Sequence, residues 1–416
     1  MYPSAVLELD SVEEFDPARD AEFFAALPAR PGVLLVEMRA ADAQPYLART
    51  ADLRRAAERL LRSPESPSKR LNLRDVAARI RYRVTGSKFE QALALYHHAR
   101  ALFPRRYRDW MRLRPPTLLK VNLRTEYPRC YVTRQIRADQ GFYFGPFASR
   151  RVAQAFAEGF LDLFKIRRCQ IKIRRDPSFP GCIYSEMKMC LAPCFAGCTK
   201  EEYDAEAGLV LATLETAGAA LEEKFERERE AASDALDFER AAALHKRLEK
   251  VSAALRGLPE LARRIDDLDA IVLARAAEEK TIAVFPICRG LLAEPLFLDF
   301  AELSSQPRSV EALLRQHLEP LRDKAERRSP GEMNAADSSP ENQRARYGLR
   351  AAPPELAEHL SLVARWFYSK PREGEILFRE AVWPYRRILR ACGRLLAPGD
   401  ASQPGAQAPS PSQTPK

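Results

Sequence analysis

The cysteines are the residues best suited to chemistry in this chain. Of eight, five fall within thirty residues: Cys169, Cys182, Cys190, Cys194 and Cys198. Cys130, Cys288 and Cys392 are scattered and read as ordinary small buried residues. Thiolates are soft ligands suited to zinc or iron–sulfur clusters, and clustering in a cytosolic chain argues for metal before disulfides. Twelve, seven and three residues separate Cys169, Cys182, Cys190 and Cys194 in turn. A common structural zinc site shows two short CxxC-like knuckles, and only the second half of this stretch is compact. Spacing alone therefore leaves an iron–sulfur cluster, a zinc ion and no metal all open. Arg167, Arg168, Arg174, Arg175 and Lys188 lie alongside and would offset the charge of four thiolates.

Immediately before the cysteines the charge is concentrated. Residues 100–175 hold nineteen Lys and Arg, sixteen of them Arg, against five Asp and Glu, a balance of +14 that exceeds the +10 of all 416 residues. The basic residues alternate with Tyr107, Trp110, Tyr127, Tyr131, Phe142, Tyr143, Phe144 and Phe147. Arginine offers a rigid fork of donors to phosphate and stacks on bases, so this segment reads as a nucleic-acid surface. Its candidate DNA-binding residues are Arg105, Arg106, Arg124, Arg134, Arg150 and Arg151. No run approaches the ~18 apolar residues of a membrane helix. The acidic start, MYPSAVLELDSVEEFD, has no basic or apolar leader. A cytoplasmic chain with no membrane partner is expected.

Several elements must position these groups. Gly32 to Met38 reads as a strand, followed by helix-like runs at 50–62 and 88–103. SPESPS at 63–68 reads as a loop. LLKVNL and RCYVTRQI, within 118–136, read as strands, GFYFGPF at 141–147 as an aromatic turn, and 149–164 as a helix. Residues 200–256 are helical throughout, with Leu244, Leu248, Val251 and Leu255 on one face. Strands at 270–288 and 291–300 precede a helix at 309–320. The polar stretch 324–353 reads as a mobile linker and 354–368 as a last helix, on which Glu355, Glu358 and His359 form a solvated face. His97 and His98, adjacent on one helix, point in different directions and read as surface or partly buried residues.

In this order the pieces resemble the UvrC excinuclease family over about residues 31–320. YPRCYVTRQIRADQGFYFGPFAS (127–149) is similar to the family's segment between nuclease module and cysteines, and RRCQIKIRRDPSFPGCIYSEMKMCLAPC to its four-cysteine region. DALDFERAAALHKRLEKV (234–251) resembles the UVR motif, a helical hairpin that pairs with the helicase subunit UvrB. IDDLDAIVLARAAEEKTIAVFPICRG (265–290) resembles the opening of the C-terminal homology region. The resemblance implies a four-iron four-sulfur cluster on Cys169, Cys182, Cys190 and Cys194, with zinc as the alternative and Cys198 outside the pattern. It also implies UvrB contacts at Phe238, Leu244, Arg247 and Leu248.

The implied fold class is α/β and multidomain. A 1–30 extension precedes a GIY-YIG-like nuclease module at 31–112 and a basic and Cys-rich region at 113–200. A UVR hairpin at 201–256, a partial homology region at 257–322, a linker at 323–353, a helical segment at 354–397 and a disordered tail at 398–416 follow.

At the implied catalytic positions the sequence departs from the family. A GIY-YIG centre needs a carboxylate for its hard cation, tyrosines, and a cation against developing phosphate charge. Here the first motif reads Gly32-Val33-Leu34 and the second Tyr46-Leu47-Ala48, with Arg49 in place of a Lys. The catalytic Arg position falls on Ala56, with Arg54, Arg55 and Arg59 nearby, and the metal-holding Glu position on Tyr96 or Leu95. Glu90, the only acid in that helix, has the wrong offset. The ribonuclease-H-like domain expected after residue 320 is replaced by the linker and a short helix. Two functions follow: a non-catalytic DNA-repair adaptor acting with UvrB, or a surviving endonuclease that uses Tyr46, Arg49 and magnesium or manganese.

Overall fold

The computed structural model describes residues 7–63, 70–137, 139, 141–301, 308–327 and 355–397. Most of the expected loop at 63–68, the linker from 328 and the tail from 398 lie outside the described residues.

The first module comprises β1 (Ser11–Glu14), α1 (Asp20–Ala26), β2 (Gly32–Met38), β3 (Tyr46–Thr50), α2 (Leu53–Leu61), β4 (Ala77–Val84), α3 (Lys88–Leu102) and the short α4 (Tyr107–Trp110). The strands form an antiparallel sheet in the order β1-β4-β2-β3. Side chains alternate along a strand, so the unbroken apolar run of β2 serves two layers. Leu34 and Val36 join α1 and α2, while Val33 and Leu35 join α3. The stretch expected as an N-terminal extension is part of this module, because β1 pairs with β4 and Phe23 and Phe24 of α1 are buried. Ser87 and Glu90 fix the start of α3. The Ser87 hydroxyl accepts from Glu90 N at 3.2 Å, and the Glu90 carboxylate accepts from Gly86 N at 2.9 Å.

The middle module holds β5 (Thr117–Val121), β6 (Cys130–Thr133), β7 (Phe142–Phe147), α5 (Arg150–Leu161), α6 (Ile183–Glu186), α7 (Lys200–Glu215), α8 (Ala219–Asp234), α9 (Phe238–Leu255) and β8 (Arg263–Arg264). Its sheet order is β6-β5-β7-β8. GFYFGPF is thus a central strand, not a turn. All six residues of β7 are buried, Phe142, Phe144 and Phe147 against α5 and Tyr143 on the opposite face. Gly145, at φ +151°, sits where the pairing with β5 slips its register. The helical stretch expected as one hairpin is three helices: α8 and α9 pair as the hairpin, and α7 packs beside them.

The last module contains β9 (Ala270–Arg275), β10 (Thr281–Cys288), β11 (Leu291–Leu292), β12 (Leu296–Asp299), α10 (Val310–Arg327), α11 (Leu356–Phe367), β13 (Glu375–Phe378) and α12 (Tyr385–Leu396). The order is β11-β10-β9-β13, with β12 also on β10. The segment 354–397, expected to be helical, therefore contributes a strand. β13 pairs antiparallel with β9 and completes the sheet. Residues 324–327 of the expected linker belong to α10. Ile271, Leu273, Ile282 and Val284 pack under α10 and α12, while Val272, Ala283 and Phe285 share a core with α3 and α11. Phe89 of α3 stands edge-on to Phe285 at 5.0 Å and lies 5.4 Å from Trp366. No helix among the described residues is long and apolar enough to cross a membrane.

Candidate nucleic-acid interface

A cleft of about 900 Å³ opens where the three modules meet. Tyr46 and Arg49 enter it from β3, Ala92 and Leu95 from α3, Arg112 and Arg114 from the loop after α4, Arg134 from the end of β6, and Arg365 from α11. Among the described residues, five arginines line this cleft and no Asp or Glu does. Arg365 is fixed by donating from Nη2 to the Arg112 carbonyl at 2.7 Å, and Arg112 reaches that position through a left-handed backbone at φ +53°. Burial lowers the Arg365 pKa, and the charges of Arg49 and Arg114 lower it further. Such like-charge crowding is relieved when an anion enters.

Leu95, one of the two positions expected for a metal-holding carboxylate, lines the cleft with an apolar side chain. The buried Ala56 belongs to the α1–α2 core, and Arg54 spends its guanidinium on the Leu27 and Ala25 carbonyls. Glu90 is buried at the start of α3 beside Arg83 and does not line the cleft. Burial raises its pKa.

Tyr96, the neighbouring candidate for that position, is fully buried and bound to Glu358. Its hydroxyl donates to Glu358 Oε2 at 2.6 Å, while the Tyr107 hydroxyl and Arg108 Nε donate to Oε1 at 2.8 and 2.5 Å. Burial pushes the Glu358 carboxyl up, but the hydrogen bonds from Tyr96, Tyr107 and Arg108 prevail and hold it below the usual range. Arg100 joins this group, donating to the Tyr96 oxygen and to Glu355. The expected solvated face of α11 is thus an internal one. His359 is also buried, and its Nδ1 accepts from Leu292 N at 3.1 Å. Burial pushes His359 and His97 down to about 4, and it lowers His98, whose ring bonds the Leu7 carbonyl.

The cysteines lie in the irregular loop between α5 and α7. Burial pushes the Cys190 thiol up to about 11, and Cys169, Cys194 and Cys182 add to the shift, so the four stand within electrostatic reach of one another. Among the described residues no three His, Cys, Asp or Glu side chains are grouped so as to hold one metal ion. Guanidinium groups hold the loop backbone: Arg167 and Arg129 donate to the Cys169 carbonyl, and Arg175 to that of Cys198. The Nε atoms of Arg167 and Arg168 are buried without a hydrogen-bond partner. Orphaned cationic donors beside this cysteine-bearing loop fit an anionic group there.

Residues 117–213, from β5 through the cysteine loop into α7, match the family model of the UvrC/Cho excinuclease middle domain. Over this domain the chain is similar to the UvrC family. UvrABC system protein C of Dehalococcoides mccartyi is 29% identical over 272 residues, covering 64% of this chain and 44% of the relative. Those of Oleidesulfovibrio alaskensis and Moorella thermoacetica are 29% and 27% identical, covering 71% of this chain and 42% and 48% of theirs. The chain thus spans less than half the length of these UvrC relatives. No solved structure matches it.

The remaining candidate residues are distributed unevenly. Arg134 joins Arg49 in the cleft; exposed Arg150 and Arg151 begin α5 beside Ser149, which borders it. Arg106 lines a smaller adjoining cavity, exposed Arg105 precedes it, and Arg124 sits on the β5–β6 turn away from both cavities. In the hairpin, Leu244 is buried and Leu248, partly buried, packs against the same core. Arg247 stacks over Phe225 at 5.1 Å, whereas Phe238 is exposed at the tip beside exposed Leu236. Of the aromatics among the basic residues, Tyr107, Tyr127, Phe142, Tyr143, Phe144 and Phe147 are core, Tyr131 lies under Arg129, and Trp110 is exposed. Sequence reasoning passes over Arg112, Arg114 and Arg365. The Arg-x-Arg-Pro-Pro run is the available signal for the first two, and none marks the third.

Proposed function

We propose that this chain is a UvrC-type component of nucleotide excision repair that grips DNA in its nuclease-like cleft without cutting it. The observation that carries this reading is the cleft itself: Tyr46 and Arg49 persist, five arginines converge, and among the described residues no carboxylate lines it. Guanidinium forks suit phosphodiesters. Cleavage by a bound magnesium or manganese ion requires an anionic oxygen ligand that Leu95 does not supply. In the same reading, Cys169, Cys182, Cys190 and Cys194 hold a four-iron four-sulfur cluster that stiffens the loop beside the DNA surface. Their place on one loop and the orphaned arginine donors beside it support this. The α8–α9 hairpin receives a UvrB-type helicase subunit, with exposed Phe238 at its tip and Arg247 along α9 as the accessible contacts.

The test is a lesion-bearing duplex incubated with the protein and UvrB, with magnesium or manganese added. Binding without incision is expected, and the binding constant should fall steeply with salt, by roughly 0.9 log unit per log unit of salt for each phosphate contacted. Robust incision that disappears in Tyr46→Phe would overturn the reading in favour of an active endonuclease.

A further inference from the structure

Beside the arginine cleft lies a second cavity of about 380 Å³, and the two share Tyr46, Leu47 and Trp110. Its walls are apolar and aromatic. Pro45, Tyr46, Phe103 and Trp110 line it, with Gln44, Arg106 and Asp109 supplying polar groups. Arg106 donates from Nη2 to the Gln44 side-chain oxygen at 2.7 Å, which fixes both at this cavity. The Trp110 ring is 46% exposed but held edge-on by Phe103 at 5.9 Å. A cavity rich in cationic forks joined to a flat aromatic one with polar groups matches the two halves of a nucleotide.

We infer that the paired cavities take an unpaired nucleotide of a DNA strand, its phosphate among the cleft arginines and its base against Trp110. This rests on the DNA-binding reading and narrows it. A paired base keeps its faces stacked inside the helix and cannot present one to Trp110, so the site discriminates single-stranded or locally opened DNA from intact duplex.

The intact protein provides its own probe, because Trp366 and Trp383 are buried and Trp110 is the exposed tryptophan. Tryptophan emission is followed while a short oligothymidylate, or a duplex of equal phosphate count, is added at low salt. The single strand should quench the emission and the duplex should not. Trp110→Ala should remove the quenching and weaken single-strand binding at least about fivefold, with a clearly smaller loss for the duplex and Trp110→Phe restoring most of the affinity. Single-strand binding that leaves the emission unchanged, or an equal loss for both DNAs in Trp110→Ala, overturns the base site while leaving the DNA reading standing. Binding of neither DNA, or binding unaffected by joint replacement of Arg49, Arg134 and Arg365 with Ala, overturns both.

Discussion

Leu95 and Tyr96 are adjacent on α3, yet successive helical residues point about 100° apart, and the two reach different surroundings. Leu95 borders the arginine cleft, whereas Tyr96 enters the core and binds Glu358. Neither offers a carboxylate to the cleft: one side chain is apolar and the other is bound in the core. His97 and His359 both stand edge-on to the Tyr96 ring, with centroids 5.6 and 5.5 Å away. Both are held neutral by burial, at about 4 against an ordinary value of 6.5. The unfolded chain therefore binds protons between these values that the folded chain does not. Stability from this pair is complete above about pH 6.5 and falls as pH drops toward 4, by roughly 2 kcal/mol for each histidine at pH 5. His359→Asn can keep an acceptor for Leu292 N while removing one titration. Urea unfolding at pH 7 and pH 5 should show a smaller loss on acidification in the variant; parallel losses would show that His359 does not titrate in this way.

Among the elements, β2 reads at its true limits because its residues form one nearly unbroken apolar run, whereas the shorter or more polar β1, β3 and β4 go unread. β7 misleads because Gly141, Gly145 and Pro146 punctuate it, although buried neighbours on both faces and pairing on both edges hold it as a strand. α11 misleads for a different reason. Glu358 and His359 are polar, and their partners Tyr96, Tyr107, Arg108 and Leu292 are remote in sequence, so nothing local reports their burial. The cleft is legible only in part for the same reason: Arg49, Arg134 and Arg365 converge through tertiary packing. The cysteine loop has little regular structure of its own and is held by arginine contacts to its carbonyls, so a cluster would act as its core. Protein purified without oxygen should be brown, with iron and sulfide in equal amounts, and each Cys→Ser change at the four positions should bleach it. Colourless protein with stoichiometric zinc would assign the four thiolates to a zinc ion.

The first and last modules of the molecule are joined through α3. Gly86, just before that helix, lies so close to the end of β9 that an added Cβ would stand 2.0 Å from the Ala276 carbonyl carbon. The Arg30 guanidinium also bonds the Ala277 carbonyl at this junction. Gly86→Ala must separate the two backbones, at a cost of about 1–3 kcal/mol or more. Thermal unfolding should show a lower midpoint, and limited proteolysis should show faster cleavage near residue 86; an unchanged midpoint would show that the junction yields without cost. Because the cleft takes Arg49 from the first module and Arg365 from the last, the same change should weaken DNA binding without touching a cleft residue.

The shared core also sets an order of events during synthesis. Leu93 and Phe89 of α3 are covered by Leu360, Val363 and Trp366 of α11, which leave the ribosome more than two hundred residues later. At roughly 5–20 residues per second, that face of α3 waits some tens of seconds for its cover. The arginine cleft cannot exist in a nascent chain before α11 arrives, so the complete cleft forms only after nearly all of the described chain has been made.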